Sequence, residues 1–172
     1  MNTINWDCYF MSMSYLVAMK SKDNSTKIGS VIVGKDHEIL STGYNGLPRG
    51  MSDDDPELQI KPEPKYSLFE HSERNSIYNA ARNGIHLLNS TIYTQGIPCA
   101  DCARAIIQAG IKRVVVHENW NKGNAEKWAK SAEYSKLMFK QCGVRLELYS
   151  GPIISKIIGL HDGKIINLED LK

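Results

Sequence analysis

Two short runs rich in β-branched residues, STIYTQ (90–95) and IKRVVVH (111–117), and an alternating one, VRLELYS (144–150), are separated by two stretches of helical apolar spacing, Cys99 to Ala109 and about 125 to 141. Few folds accept strand, helix, strand, helix, strand in that order. Strands joined through a helix lie parallel, and right-handed crossovers lay those helices over the sheet. The first helical stretch opens just after Pro98, and the two end at Gly110 and Gly143, the usual asymmetry of helix termini.

Upstream, Ile4, Trp6, Tyr9, Phe10, Met13, Leu16 and Val17 recur at helical spacing. They predict an amphipathic helix over about 4 to 20 whose Met and aromatic side chains lie in the core. IGSVIVG (28–34) and EILSTGY (38–44) flank Lys35-Asp36-His37 and predict a β-hairpin. Helical spacing resumes from about His71 to Asn83 and stops at Gly84. The expected architecture is α/β, a three-layer α/β/α sandwich on a five-stranded mixed sheet. Between Asn45 and Lys65, four prolines, two glycines and Asp53-Asp54-Asp55 predict a long ordered loop. A polar segment, 118–124, leads into the last helix. The tail, 151–172, carries a turn signal at His161-Asp162-Gly163 and packs either on the body or on a neighbouring subunit. With no repeat or linker, 1–172 reads as a single domain.

At 172 residues and 19.3 kDa the chain can bury roughly 70% of its surface, so folding needs no disulfide staples. The formal charge of +2 is too small a field to argue for nucleic acid or an anionic membrane. MNTINWDCYFMSMSYLVAMK lacks the basic start and unbroken apolar run of a signal peptide, and no stretch reaches about 18 apolar residues. A soluble, cytoplasmic protein is expected, with no membrane partner. In a reducing compartment, a close cysteine pair binds metal or does redox work.

Of the four cysteines, only Cys99 and Cys102 are close in sequence, in Pro98-Cys99-Ala100-Asp101-Cys102 at a helix start. Cys8 and Cys142 read as inert thiols. His71-Ser72-Glu73 opens another helix, and both groups should face the same edge of the sheet. One imidazole and two thiolates suit Zn2+, and a catalytic site keeps the fourth position for water. Two helix N-termini favour thiolate and developing negative charge. Glu73, two residues past the histidine, can reach that water rather than the metal. For the cysteine pair alone, a structural zinc site or a redox dithiol stays open. His37, His86, His117 and His161 read as surface or satisfied histidines.

His-x-Glu followed by Pro-Cys-x-x-Cys resembles the signature of zinc nucleobase deaminases. From about Trp6 to Leu148 the chain resembles the deoxycytidylate (dCMP) deaminase family, which has the cytidine deaminase-like fold. SKDNSTKIG (21–29), GYNGLPRGMSDD (43–54), EHSERNSI (70–77) and PCADCARAIIQAGIKRVVV (98–116) carry the resemblance. It implies zinc on His71, Cys99 and Cys102, and Glu73 as the proton shuttle in converting dCMP to dUMP and ammonia, a supply for dTMP synthesis. It further implies nucleotide contacts at Asn45, phosphate contacts at Ser21, Lys22 and Asn24, and an aromatic contact at Trp120. Relatives imply a homo-oligomer, a hexamer, activated by dCTP and inhibited by dTTP, with Mg2+ accompanying a triphosphate effector. Ser72 and Ser76 stand where the family commonly has alanine, Asn24 where it often has proline. Arg74, directly after Glu73, is expected in a surface ion pair. The competing readings are a zinc deaminase of bases in tRNA or single-stranded nucleic acid, which would need a basic surface, and a non-catalytic zinc-binding module, in which Glu73 has no purpose.

Overall fold

The computed structural model describes residues 4–161 and 164–167, with side chains throughout except at 121–127, 158–161 and 165–167. Helix α1 (Trp6–Ala18) leads into strands β1 (Gly29–Val33) and β2 (Ile39–Tyr44). The long loop that follows contains a 3-10 turn (Pro56–Gln59) and helix α2 (Lys65–Leu68). Then come α3 (Ser72–Arg82), β3 (Thr91–Thr94), α4 (Ala100–Gln108), β4 (Arg113–His117), α5 (Glu118–Gln141), β5 (Arg145–Tyr149), β6 (Ile158–His161) and β7 (Lys164–Asn167).

The main sheet has the order β2-β1-β3-β4-β5. Strand β1 runs antiparallel to β2 and β3, while β3, β4 and β5 are parallel, as helical crossovers require. Side chains alternate between the two faces of a strand, so the sheet builds two cores. Ile32, Ile92, Val114 and Val116 join Ala80, Ala103, Ile106 and Phe139 of α3, α4 and α5 on one face. Val31, Val33, Tyr93 and Val115 join Phe10 and Met11 of α1 on the other. This is the expected three-layer sandwich.

The expectation for α1 needs correction. Phe10 and Met11 are buried, but Trp6 is 53% exposed, Leu16 54% and Met19, just past the helix, 71%. A single helix laid on a sheet buries only one stripe, and the apolar residues of α1 extend around that stripe. Helix α5 also begins at Glu118, not near 125, so the polar segment is helical. Its three asparagines are weak helix formers and Gly123 costs about 1 kcal/mol, so this segment is helical through continuity with the long helix behind it and not through its own propensity. The tail adds the antiparallel pair β6–β7; Asp162 and Gly163 of the expected turn lie outside the described residues. Before that pair the tail packs on α1, where Cys8 Sγ donates to the Pro152 carbonyl at 3.2 Å and the Ile154 amide to Ser12 Oγ at 2.9 Å.

Helix α3, which carries His71 at its N-terminal cap, lies unusually close to β2. A Cβ at Gly43 would stand 2.3 Å from the Ser76 amide nitrogen and 2.5 Å from the Ser72 carbonyl oxygen. Side chains lace α3 to the sheet: Ser30 Oγ of β1 donates to the Ser72 carbonyl, Ser41 Oγ of β2 to that of Ser76, and Asn75 Nδ2 to that of Tyr44 in β2, each at 2.7 Å. Gly43→Ala should therefore push the helix off the sheet, destabilising the fold by about 1–3 kcal/mol. A urea titration should show a lower midpoint at unchanged slope; an unchanged midpoint would mean that α3 shifts without cost.

Candidate active site

Two helix starts converge beside the C-terminal end of β3. His71 is the N-cap of α3 and Cys99 that of α4, both with extended backbone, and Cys102 follows one turn into α4. Sγ of Cys99 and Sγ of Cys102 each lie 3.5 Å from His71 Nδ1. The three ligand atoms are all within 4.8 Å of one another, and among the described residues no fourth His, Cys, Asp or Glu joins them. Nitrogen and sulfur donors suit Zn2+ and not Mg2+, which takes oxygen ligands. Three ligands beside a cleft match the open, catalytic class of zinc site and not the closed structural one. The zinc that the resemblance implies therefore fits these residues.

The negative charge of the group sits on Cys99. Cys99 is held down to about 4, chiefly by the hydrogen bond from Cys102, while that bond and burial push Cys102 well up. The hydrogen bond to Cys99 raises His71. A metal among such groups displaces the protons they hold. Arg74 forms its expected pair with Glu70, but only 18% of its side chain is exposed, and Nη1 also reaches to 3.7 Å from Cys102 Sγ. The guanidinium thus sets a fixed positive charge beside a thiolate ligand instead of lying on the surface. Glu73 is 6% exposed and outside the ligand group; burial raises its carboxyl above the usual range, and Ser72 Oγ donates to its Oε2 at 2.9 Å.

His71, Glu73 and Cys99 line a cleft of about 320 Å3. Its floor includes Thr94, whose hydroxyl is buried with no hydrogen-bond partner among the described residues. Asn45 forms one wall: its Oδ1 accepts from the Ile28 amide at 2.8 Å, and its Nδ2 donates to Asp23 Oδ2 at 3.0 Å and to the Thr26 carbonyl at 2.9 Å. Trp120 and Trp128 stand on another side, Trp128 edge-on to His71 with ring centroids 6.1 Å apart.

The structure thus brings together Glu73, His71, Cys99, Cys102, Asn45 and Trp120. Ser21, Lys22 and Asn24 do not line the cleft. Ser21 is buried with its Oγ on the Asn45 carbonyl, Lys22 pairs outside with Asp53, and the Asn24 amide donates to Gln59. Their neighbours Asp23, Ser25 and Thr26 line the cleft instead. Asp23 folds the segment back on itself, its Oδ1 accepting from the amides of Ser25 at 2.7 Å and Thr26 at 3.0 Å. Aspartate two residues before Ser-Thr is a turn signal that could have shown this inversion. Trp128, Lys61 and Lys65 also reach the cleft, and no sequence motif marks them.

Residues 4–118 match the family described as the cytidine and deoxycytidylate deaminase zinc-binding region. The deoxycytidylate deaminase of Mus musculus is 35% identical over 159 residues, covering 90% of this chain and 85% of the relative, and that of Homo sapiens is 34% identical with the same coverage. Among solved structures, the dCMP deaminase of cyanophage S-TIM5 in complex with dCMP and dUMP aligns over 82% of this chain and 94% of that one, with a TM-score of 0.62. At 22% identity that likeness speaks to the fold, which is the cytidine deaminase-like fold. The chain belongs to the deoxycytidylate deaminase family and is a hydrolytic deaminase.

Proposed function

We propose that the protein hydrolyses dCMP to dUMP and ammonia, with His71, Cys99 and Cys102 holding Zn2+ and Glu73 carrying protons. The observation that carries this reading is the three-ligand group with a buried, non-ligating carboxylate at the floor of a nucleotide-sized cleft. The names of the mouse and human relatives supply the substrate.

Bound there, Zn2+ supplies a water acidified toward a pKa of about 7. The reaction replaces the amino group on ring carbon 4 with oxygen. Of the two protons of the consumed water, one goes to ring nitrogen 3 and one leaves with ammonia. Glu73 is placed to carry both, and Ser72 fixes its orientation. Both amide hydrogens of Asn45 and one lone pair of its oxygen are engaged, so the remaining lone pair suits a sugar hydroxyl. Lys61 is the exposed cation among the cleft residues and is proposed to meet the phosphate, a role the sequence reading placed on Ser21, Lys22 and Asn24. A homo-oligomer, and through its product a place in dTMP supply, belong to the same proposal. Apolar side chains left open, such as Leu88 and Met19, both 71% exposed, support the assembly. No helix among the described residues is long and apolar enough to cross a membrane.

The test is a substrate panel of dCMP, CMP, deoxycytidine and dCTP with the zinc-loaded protein, following ammonia and product, repeated with dCTP and dTTP as effectors. Turnover of dCMP above the others is expected. Deamination of bases in a single-stranded oligonucleotide without turnover of dCMP would overturn the proposal.

A further inference from the structure

The loop between β2 and α3 leaves and returns at one point, where Gly46 and Glu70 exchange backbone hydrogen bonds of 3.1 and 2.8 Å. It sends Lys61, Tyr66 and Phe69 to the cleft. It is also fastened at a second place. Lys65 Nζ donates to Asp23 Oδ1 at 2.5 Å and to Ser25 Oγ at 2.8 Å, and the paired side chains are each only 4% exposed. Around them, Gln59 clasps the backbone of the same turn, its Nε2 donating to the Lys22 carbonyl at 3.1 Å and its Oε1 accepting from the Asn24 amide at 3.0 Å.

The two oxygens of Asp23 have different partners. Oδ1 takes the loop lysine, and Oδ2 takes Nδ2 of Asn45. One carboxylate therefore connects the loop to the Asn45 amide that lines the cleft. A buried ion pair contributes little net stability, because desolvation offsets the attraction, but its geometry is exacting.

We propose that Asp23 and Lys65 are positioning residues: their buried ion pair latches the loop onto the 21–26 turn and thereby holds the Asn45 amide toward the substrate. The inference rests on the dCMP reading of the cleft. Lys65 is spent inside the protein and contributes no free charge to a phosphate. Removing Lys65 leaves the buried Asp23 carboxylate without its counter-charge, although Ser25 and Thr26 still donate to its Oδ1; it must draw in water or move, and Asn45 Nδ2 then loses one of its two acceptors, keeping only the Thr26 carbonyl.

A double-mutant cycle in zinc-loaded protein tests this. Lys65→Met should raise the KM for dCMP about tenfold, the scale of one well-placed hydrogen bond, with kcat and zinc content close to wild type. Asn45→Ala should raise KM as well, and the double variant should match Asn45→Ala alone, because Lys65 acts through Asn45. Multiplying effects, or an unchanged KM in Lys65→Met, would overturn the inference. Asp23→Asn, which preserves shape, enters the same cycle if Lys65→Met does not fold. Trypsin reads the latch without substrate: cleavage after the exposed Arg49 should be faster in the variant, and an equal rate would refute the latch. Absence of dCMP turnover in the wild type sinks the activity reading, whereas an active wild type with an additive cycle sinks this inference alone.

Discussion

Glu73→Gln protein will bind zinc as the wild type does and turn over dCMP about 10^3-fold more slowly, within the range expected for loss of a general acid–base group. Glutamine has the shape of glutamate and can still accept the Ser72 hydroxyl hydrogen bond that reaches Oε2. Because Glu73 lies outside the His71, Cys99 and Cys102 group, metal content should not follow its charge. The amide cannot take a proton from water and release it to a ring nitrogen or a departing amine. Since the side chain is buried, bulk solvent is poorly placed to substitute. The loss should fall on kcat, with KM little changed. Metal analysis and steady-state kinetics on the same preparation check both halves. A kcat within tenfold of wild type would show that another group moves the protons; loss of zinc would show that Glu73 holds the metal site together.

The residues with chemistry at fixed spacing were legible from the sequence, and those placed by a loop's path were not. His71 and Glu73 share the start of one helix, Cys99 and Cys102 that of another, so local periodicity places each pair. The crossover pattern brings the two helix starts to one edge. The order of the three parallel strands follows from the same alternation. Asp23 differs from its neighbours Lys22 and Asn24 only in the direction its side chain takes through a tight turn. Lys65 acts on it from 42 positions away. Trp128 lies inside the helix that the spacing predicts, but helical spacing does not tell that its ring turns toward a cleft built by other elements. The misplaced aromatic face of α1 has a related cause: periodicity tells which residues share a side of a helix, not how wide a stripe its neighbours will cover.

Cys102→Ala should cost zinc, activity and stability together, and the coupling of the three is the informative part. Cys102 is fully buried one turn inside α4, so water cannot readily replace its sulfur as a ligand. Changes to residues that merely support ligands typically cost 10–100-fold in metal affinity, and loss of a ligand thiolate should exceed about 100-fold. Arg74 adds to the effect, since its guanidinium 3.7 Å away would then face two remaining ligands and a cation with one negative charge fewer between them. A ligand that binds only the folded state at 100 times its dissociation constant stabilises that state by about 2.7 kcal/mol, and the variant would forgo most of this at the same free zinc. In thermal melts the wild type should drop in Tm when a chelator is added, while Cys102→Ala should start lower and not respond. Competition against a chromogenic chelator should show the matching loss of affinity. A variant that retained stoichiometric zinc, with a melt still sensitive to chelation, would remove Cys102 from the ligand set and reopen the assignment of the metal to Cys99 and His71.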